Sequence, residues 1–129
     1  MLAAVSVAAN PWEEVGWRAF APSRLLARYP VPFAGLLVGV LAALWHLPLV
    51  LWPASPMSHI PLWPWFAEIT AKGCVLAWLY VRCGQSLAIA IVFHLAVNIT
   101  GGMVGVNSNW VLAGVTAVTA IVLLGFVKD

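Results

Sequence analysis

The chain has 129 residues, of which 64% are apolar and only 8% charged, against about 25% charged in an ordinary soluble domain. A mean hydropathy of +1.00, eight tryptophans and six scattered Lys and Arg exclude a soluble globular protein, a disordered tail and a nucleic-acid binder, which needs clustered basic residues. The net charge of +2 adds little, and the composition points to a bilayer, where helices satisfy every backbone polar group internally.

Met1–Ala9 is apolar but has no basic start, and it is too short for a signal peptide or a spanning helix. Pro11–Arg28 reads as a short helix only partly in lipid. Pro11 suits a first turn, and Glu13 and Glu14 sit where the helix dipole favours anions. Pro22 is expected to kink or end it. Four apolar runs follow: Phe33–Trp52, Trp63–Val81, Ser86–Val104 and Asn109–Val127. The first is uncharged and long enough for about 30 Å of helix. Pro53, Pro56, Pro61 and Pro64 separate the first two, Gly84 the next pair, and Asn107, Ser108 and Asn109 the last. The expected fold is all-α, a polytopic transmembrane helix bundle of about four spanning helices plus a short N-terminal motif helix, in one domain over 1–129.

If each run spans once, Arg24, Arg28, Arg82 and Lys128 fall on one side, which the positive-inside rule makes cytoplasmic. Trp52, Trp63, Trp65 and Trp110 fall at the opposite ends, as an interfacial aromatic belt would. The GxxxG spacings Gly35/Gly39 and Gly101/Gly105 allow close helix approach, read here as packing within the chain rather than dimerisation. Cys74 and Cys83 lack CxxC spacing and read as two buried thiols without a disulfide.

In lipid a strongly polar residue is a functional candidate by default. The candidates are Glu13, Glu14, Arg18, His46, Glu68, Lys72, His94 and Asn98. His46 and Asn98 would lie roughly 20 and 18 Å from the arginine side, His94 about 12 Å, and Glu13 roughly 22 Å if its helix ran unbroken. Polar groups from three elements thus reach similar depth. His94 and Asn98 share a helix face at i,i+4, as do Glu14 and Arg18. Glu14 can then pair with Arg18, which leaves Glu13, turned by about 100°, for chemistry. A poorly solvated carboxylate is a better general base near neutral pH. His46 could hydrogen-bond Glu13 or its water, and His94 and Asn98 could donate to the oxyanion of peptide hydrolysis.

The segment Pro11-Trp12-Glu13-Glu14-Val15-Gly16-Trp17-Arg18 resembles the EExxxR motif of the CPBP intramembrane glutamic endopeptidases, the family of CAAX prenyl proteases and Abi-type bacteriocin-processing and immunity proteins. Trp45-His46-Leu47-Pro48 looks like its second motif. Arg82-Cys83-Gly84-Gln85-Ser86 with Phe93-His94-Leu95-Ala96-Val97-Asn98 looks like its third, HxxxN. Order and spacing agree over about residues 10–102, with residues 109–127 as a further C-terminal transmembrane helix. The resemblance implies that Glu13 activates water with help from His46, that His94 and Asn98 form the oxyanion hole, and that Glu14 and Arg18 support the motif. It implies hydrolysis of a membrane-associated peptide or protein without a covalent intermediate, in a multi-pass protein of a bacterial cytoplasmic membrane. The chain departs from the family pattern at Ala42, where an aromatic usually stands. It also has only twelve residues before Glu13, where the family usually carries further helices, so the resemblance leaves three readings open: a fragment truncated at its N-terminus, a mis-called start or a degenerate member.

Blander readings stand beside these. Glu13, Glu14 and Arg18 could be an interfacial charge cluster, and His94/Asn98 an interhelical hydrogen-bond pair. Glu68 and Lys72 read as a self-satisfying ion pair near the outer end of their helix, with a cavity-lining role as the alternative. His59 reads as solvated. No cofactor is implied, although Glu13, His46 and His94 could make a two-histidine, one-carboxylate metal set. A non-catalytic immunity or scaffold protein of the same fold, or an inactive truncated bundle, is the rival function.

Overall fold

Proline punctuation and apolar run length set the helix boundaries. The computed structural model describes residues 11–104 and 110–126, apart from the side chains of residues 18–19 and 100–104. Residues 11–14 are helical and lead into a π-helical segment, Val15–Phe20. Helix α1 (Ala21–Leu25) follows, then α2 (Val31–Leu51), α3 (Leu62–Arg82), α4 (Leu87–Val104) and α5 (Trp110–Gly125). The described residues form an all-α helix bundle, as the composition requires.

Pro22 neither ends the first helix nor leaves it regular. Proline has no N–H to give to the carbonyl four residues back, and its ring crowds that carbonyl. The preceding turn widens instead, and the Ala21 N–H bonds the Gly16 carbonyl five residues back. The chain therefore stays helical through Pro22, which is buried. Wide π turns of this kind occur often at functional sites.

Pro30 and Pro61 hold extended backbone immediately before α2 and α3. Between α3 and α4 the chain reverses through Gly84 (φ 65°) and Gln85 (φ 60°), both left-handed. The Gln85 N–H closes the turn on the Tyr80 carbonyl at 2.7 Å. Glycine adopts this conformation without strain, which explains Gly84 at the break between two apolar runs.

Helix α3 is the centre of the bundle. On one side Gly35 and Gly39 of α2 meet Gly73 of α3, so closely that a Cβ at Gly39 would run into the Thr70 carbonyl oxygen and one at Gly35 would lie 2.9 Å from the Cys74 Cα. The first GxxxG spacing thus serves packing within the chain. The second, Gly101/Gly105, lies outside the described side chains. On its other side α3 sets Cys74 and Val75 against Ala120 of α5, with Phe93, Leu123 and Leu124 around them.

The outer faces are apolar and exposed, including Leu36, Leu44 and Leu49 on α2 and Val111, Val118 and Ile121 on α5. Helix α2 is long and apolar enough to cross a membrane; α5 and residues Leu87–Ile99 of α4 are apolar and shorter. Trp52, Trp63 and Trp110 are exposed, but Trp65 is buried and stacks edge-on against Phe66. Trp65 therefore belongs to the core and not to an outer aromatic belt. Cys74 is buried as expected, whereas Cys83 is only half-buried; both are free thiols.

Candidate active site

Glu13 and Glu14 precede the π segment, and adjacent helical residues point about 100° apart. Each glutamate consequently addresses a different helix. Glu13 faces α2, where its Oε1 lies 3.8 Å from His46 Nε2. Glu14 is fully buried and turns to α4, where its Oε1 accepts a hydrogen bond from His94 Nδ1 at 2.7 Å.

The second contact of each histidine restricts its chemistry. His46 Nδ1 lies 2.8 Å from the Ala42 carbonyl oxygen. A carbonyl only accepts, so Nδ1 carries the proton and Nε2 is left toward Glu13. Ala42, the position where an aromatic was expected, thus serves through its backbone. A separation of 3.8 Å is too long for a direct hydrogen bond and is the kind of gap that a water can bridge. His94 gives its Nδ1–H to Glu14, so donation from its Nε2 belongs to the imidazolium form, for which Glu14 is the counter-ion.

The two glutamates and two histidines line one cavity, together with Trp17, Ala42, Phe93, Val97 and, from α3, Ile69, Lys72, Gly73 and Leu76. About 60 Å³ of it is open to the centres of water molecules, whereas one water needs roughly 10–15 Å³. Trp17 meets Trp45 of α2 edge-on at 6.5 Å between ring centroids. The walls are thus largely apolar, with carboxylate and imidazole groups converging inside.

Asn98 is on α4, one turn beyond His94, and is exposed rather than part of the cavity lining. The side chain of Arg18, the expected partner of Glu14, lies outside the described residues. Among the described residues no three His, Cys, Asp or Glu gather as a metal-ligand group.

One contact escapes sequence reasoning. The Glu14–His94 bond joins residues 80 positions apart, and no local spacing signals it. Lys72 lines the cavity, which is the alternative that the sequence left open for it, and its i,i+4 ion pair with Glu68 also forms. The pair is not near the end of its helix: Lys72 lies midway along Leu62–Arg82. Its direction is fixed by the neighbouring Gly73, which must face Gly39 for α2 and α3 to touch.

Comparison with known proteins gives a consistent result. A family model described as type II CAAX prenyl endopeptidase Rce1-like matches residues 1–100, a stretch that includes Glu13, His46, Lys72, His94 and Asn98. A CAAX prenyl protease 2 from Methanococcus maripaludis is 29% identical over 107 residues, covering 78% of this chain and 40% of that relative. The chain therefore spans less than half the length of this curated relative.

Proposed function

The chain belongs to the Rce1-like family of type II CAAX prenyl endopeptidases, and from that premise we propose that it hydrolyses a peptide bond of a membrane-associated substrate with a water activated by Glu13. The observation that carries this reading is the 3.8 Å gap between Glu13 Oε1 and His46 Nε2, at the wall of a cavity with room for water.

A water placed there gives one hydrogen to the Glu13 carboxylate and the other to the Nε2 of neutral His46. Its lone pair is then directed into the cavity, toward a substrate carbonyl. As the water oxygen bonds the carbonyl carbon, Glu13 takes a proton, and the carbonyl oxygen becomes an oxyanion. His94 Nε2–H, in the imidazolium form held by Glu14, donates to that oxyanion; the Asn98 amide, one turn farther along α4 and outside the cavity lining, is assigned the second donor on its motif position alone. When the intermediate collapses, the C–N bond breaks and Glu13 returns its proton to the leaving amine. No bond forms between enzyme and substrate. Glu14 acts as a positioning residue, because its contact is with His94 and not with the reacting atoms. Arg18 belongs to the same supporting motif.

The test is cleavage of a membrane-bound peptide reporter by the wild type, Glu13→Ala and His46→Ala. General base catalysis contributes about 10²–10⁴-fold, so both variants should lose turnover on that scale. Equal turnover by all three would end the protease reading and favour a non-catalytic membrane protein of the same fold, with an immunity or scaffold role.

A further inference from the structure

The hydrolytic step leaves one charged group of the cavity unused. Lys72 lines the same cavity as Glu13, Glu14, His46 and His94. It stands midway along α3, roughly 15 Å from either end. An ammonium at that depth of an apolar bundle is costly, and such groups mark substrate or ion paths by default. Its counter-ion is Glu68, one helical turn earlier.

The pair has two unequal sides. Glu68 is 1% exposed, whereas the Lys72 side chain keeps 28% exposure. Glu68 thus sits behind the lysine, enclosed by protein, and its second oxygen, Oε2, is buried without a hydrogen-bond partner among the described residues. A buried ion pair kept only for packing is replaceable by apolar side chains at little or no loss. The cation of this one belongs to a side chain that lines the cavity. An ammonium has three N–H donors, and the Glu68 contact through Oε1 leaves donors for a ligand.

The chemistry of that ligand follows from the other groups. The remaining ionisable lining residues are two glutamates and the two histidines that they face. An anionic substrate group would be repelled by Glu13, whereas Glu14 and the His94 imidazolium balance each other. Among the described lining residues, Lys72 is the one Lys or Arg that can receive it. We infer that Lys72 is a specificity-determining residue that binds a carboxylate of the peptide substrate, with Glu68 holding the ammonium in place. The assignment rests on the protease reading above and deepens it.

The test compares two peptides in lipid nanodiscs, identical except that one ends in a free carboxylate and the other in an amide. Binding is measured to the Glu13→Gln chain, so that cleavage does not intervene, with and without the double replacement Glu68→Gln, Lys72→Met. Removing both charges leaves no buried carboxylate without its counter-ion. Charge-assisted hydrogen bonds predict an acid preference of about tenfold or more with Lys72 present. The preference should collapse to within about twofold in the double replacement and persist in Lys72→Arg. An amide peptide carrying an internal aspartate, if it binds as tightly as the acid, assigns recognition to any nearby carboxylate rather than to the chain end alone. Equal binding of acid and amide, or an acid preference that survives loss of Lys72, overturns the assignment. Wild-type turnover of the same acid peptide is the separate readout: turnover without any acid preference sinks the role of Lys72 and leaves the protease reading standing.

Discussion

Glu13 and Glu14 are neighbours in sequence and differ sharply in surroundings. The Glu14 side chain has 0% exposure and a short bond to His94, whereas Glu13 keeps 25% exposure and a longer approach to His46. The enclosed carboxylate suits orientation, and the accessible one suits proton transfer through water. The histidines are alike in one respect: each is fixed at Nδ1 by an acceptor and left with Nε2 for chemistry. Asn98 is the residue whose proposed role asks most of its position, since it lies one turn from His94 and outside the cavity lining. If it donates to the oxyanion when substrate is bound, Asn98→Ala keeps the protein in the membrane and lowers reporter turnover by ~10²–10³-fold. Unchanged turnover would remove it from the site.

Among the elements, the contact between α2 and α3 governs the geometry of the cavity, because it carries His46 on one side and Lys72 on the other. The helices touch through Gly35, Gly39 and Gly73, with no space for a methyl group at Gly39. Gly39→Ala should destabilise the protein by about 1–3 kcal/mol through overpacking, read as a lower midpoint in detergent unfolding. Gly114→Ala, where a Cβ meets nothing within 4 Å, is the control and should be tolerated. Equal midpoints for the two variants would contradict the close crossing. Helix positions were legible in the sequence because apolar runs and prolines are local signals: Phe33–Trp52 became Val31–Leu51, and Trp63–Val81 became Leu62–Arg82. The GxxxG spacing at Gly35 and Gly39 was also legible as internal packing. Three things were not. The π turn arises from a local compromise around Pro22 that helical periodicity does not encode. The burial of Trp65 depends on the rotation of α3. The Glu14–His94 bond needs two distant elements to meet, so no spacing within either one announces it.

For the molecule as a whole, the apolar exterior and the polar groups gathered in one interior cavity fit a bundle read from lipid inward. The proposed multi-pass topology places the α3–α4 turn on the cytoplasmic side, beside Arg82. Cys83 stands in that turn half-buried, and Cys74 is buried in the core. A membrane-impermeant maleimide should therefore label Cys83 in inverted vesicles and not in intact cells, and Cys74 in neither. Labelling from outside the cell would reverse the topology. The bundle also brings Glu13 to His46 of α2, and the proposed chemistry depends on their sharing one water. Residues that act as a unit give strongly non-additive losses. The most direct measurement is thus a double-mutant cycle on reporter turnover with Glu13→Gln, His46→Ala and the combined variant. One shared water requires the double variant to be no slower than the worse single, within about threefold. Losses that multiply would mean that the two side chains act separately, and would contradict a single water held between them.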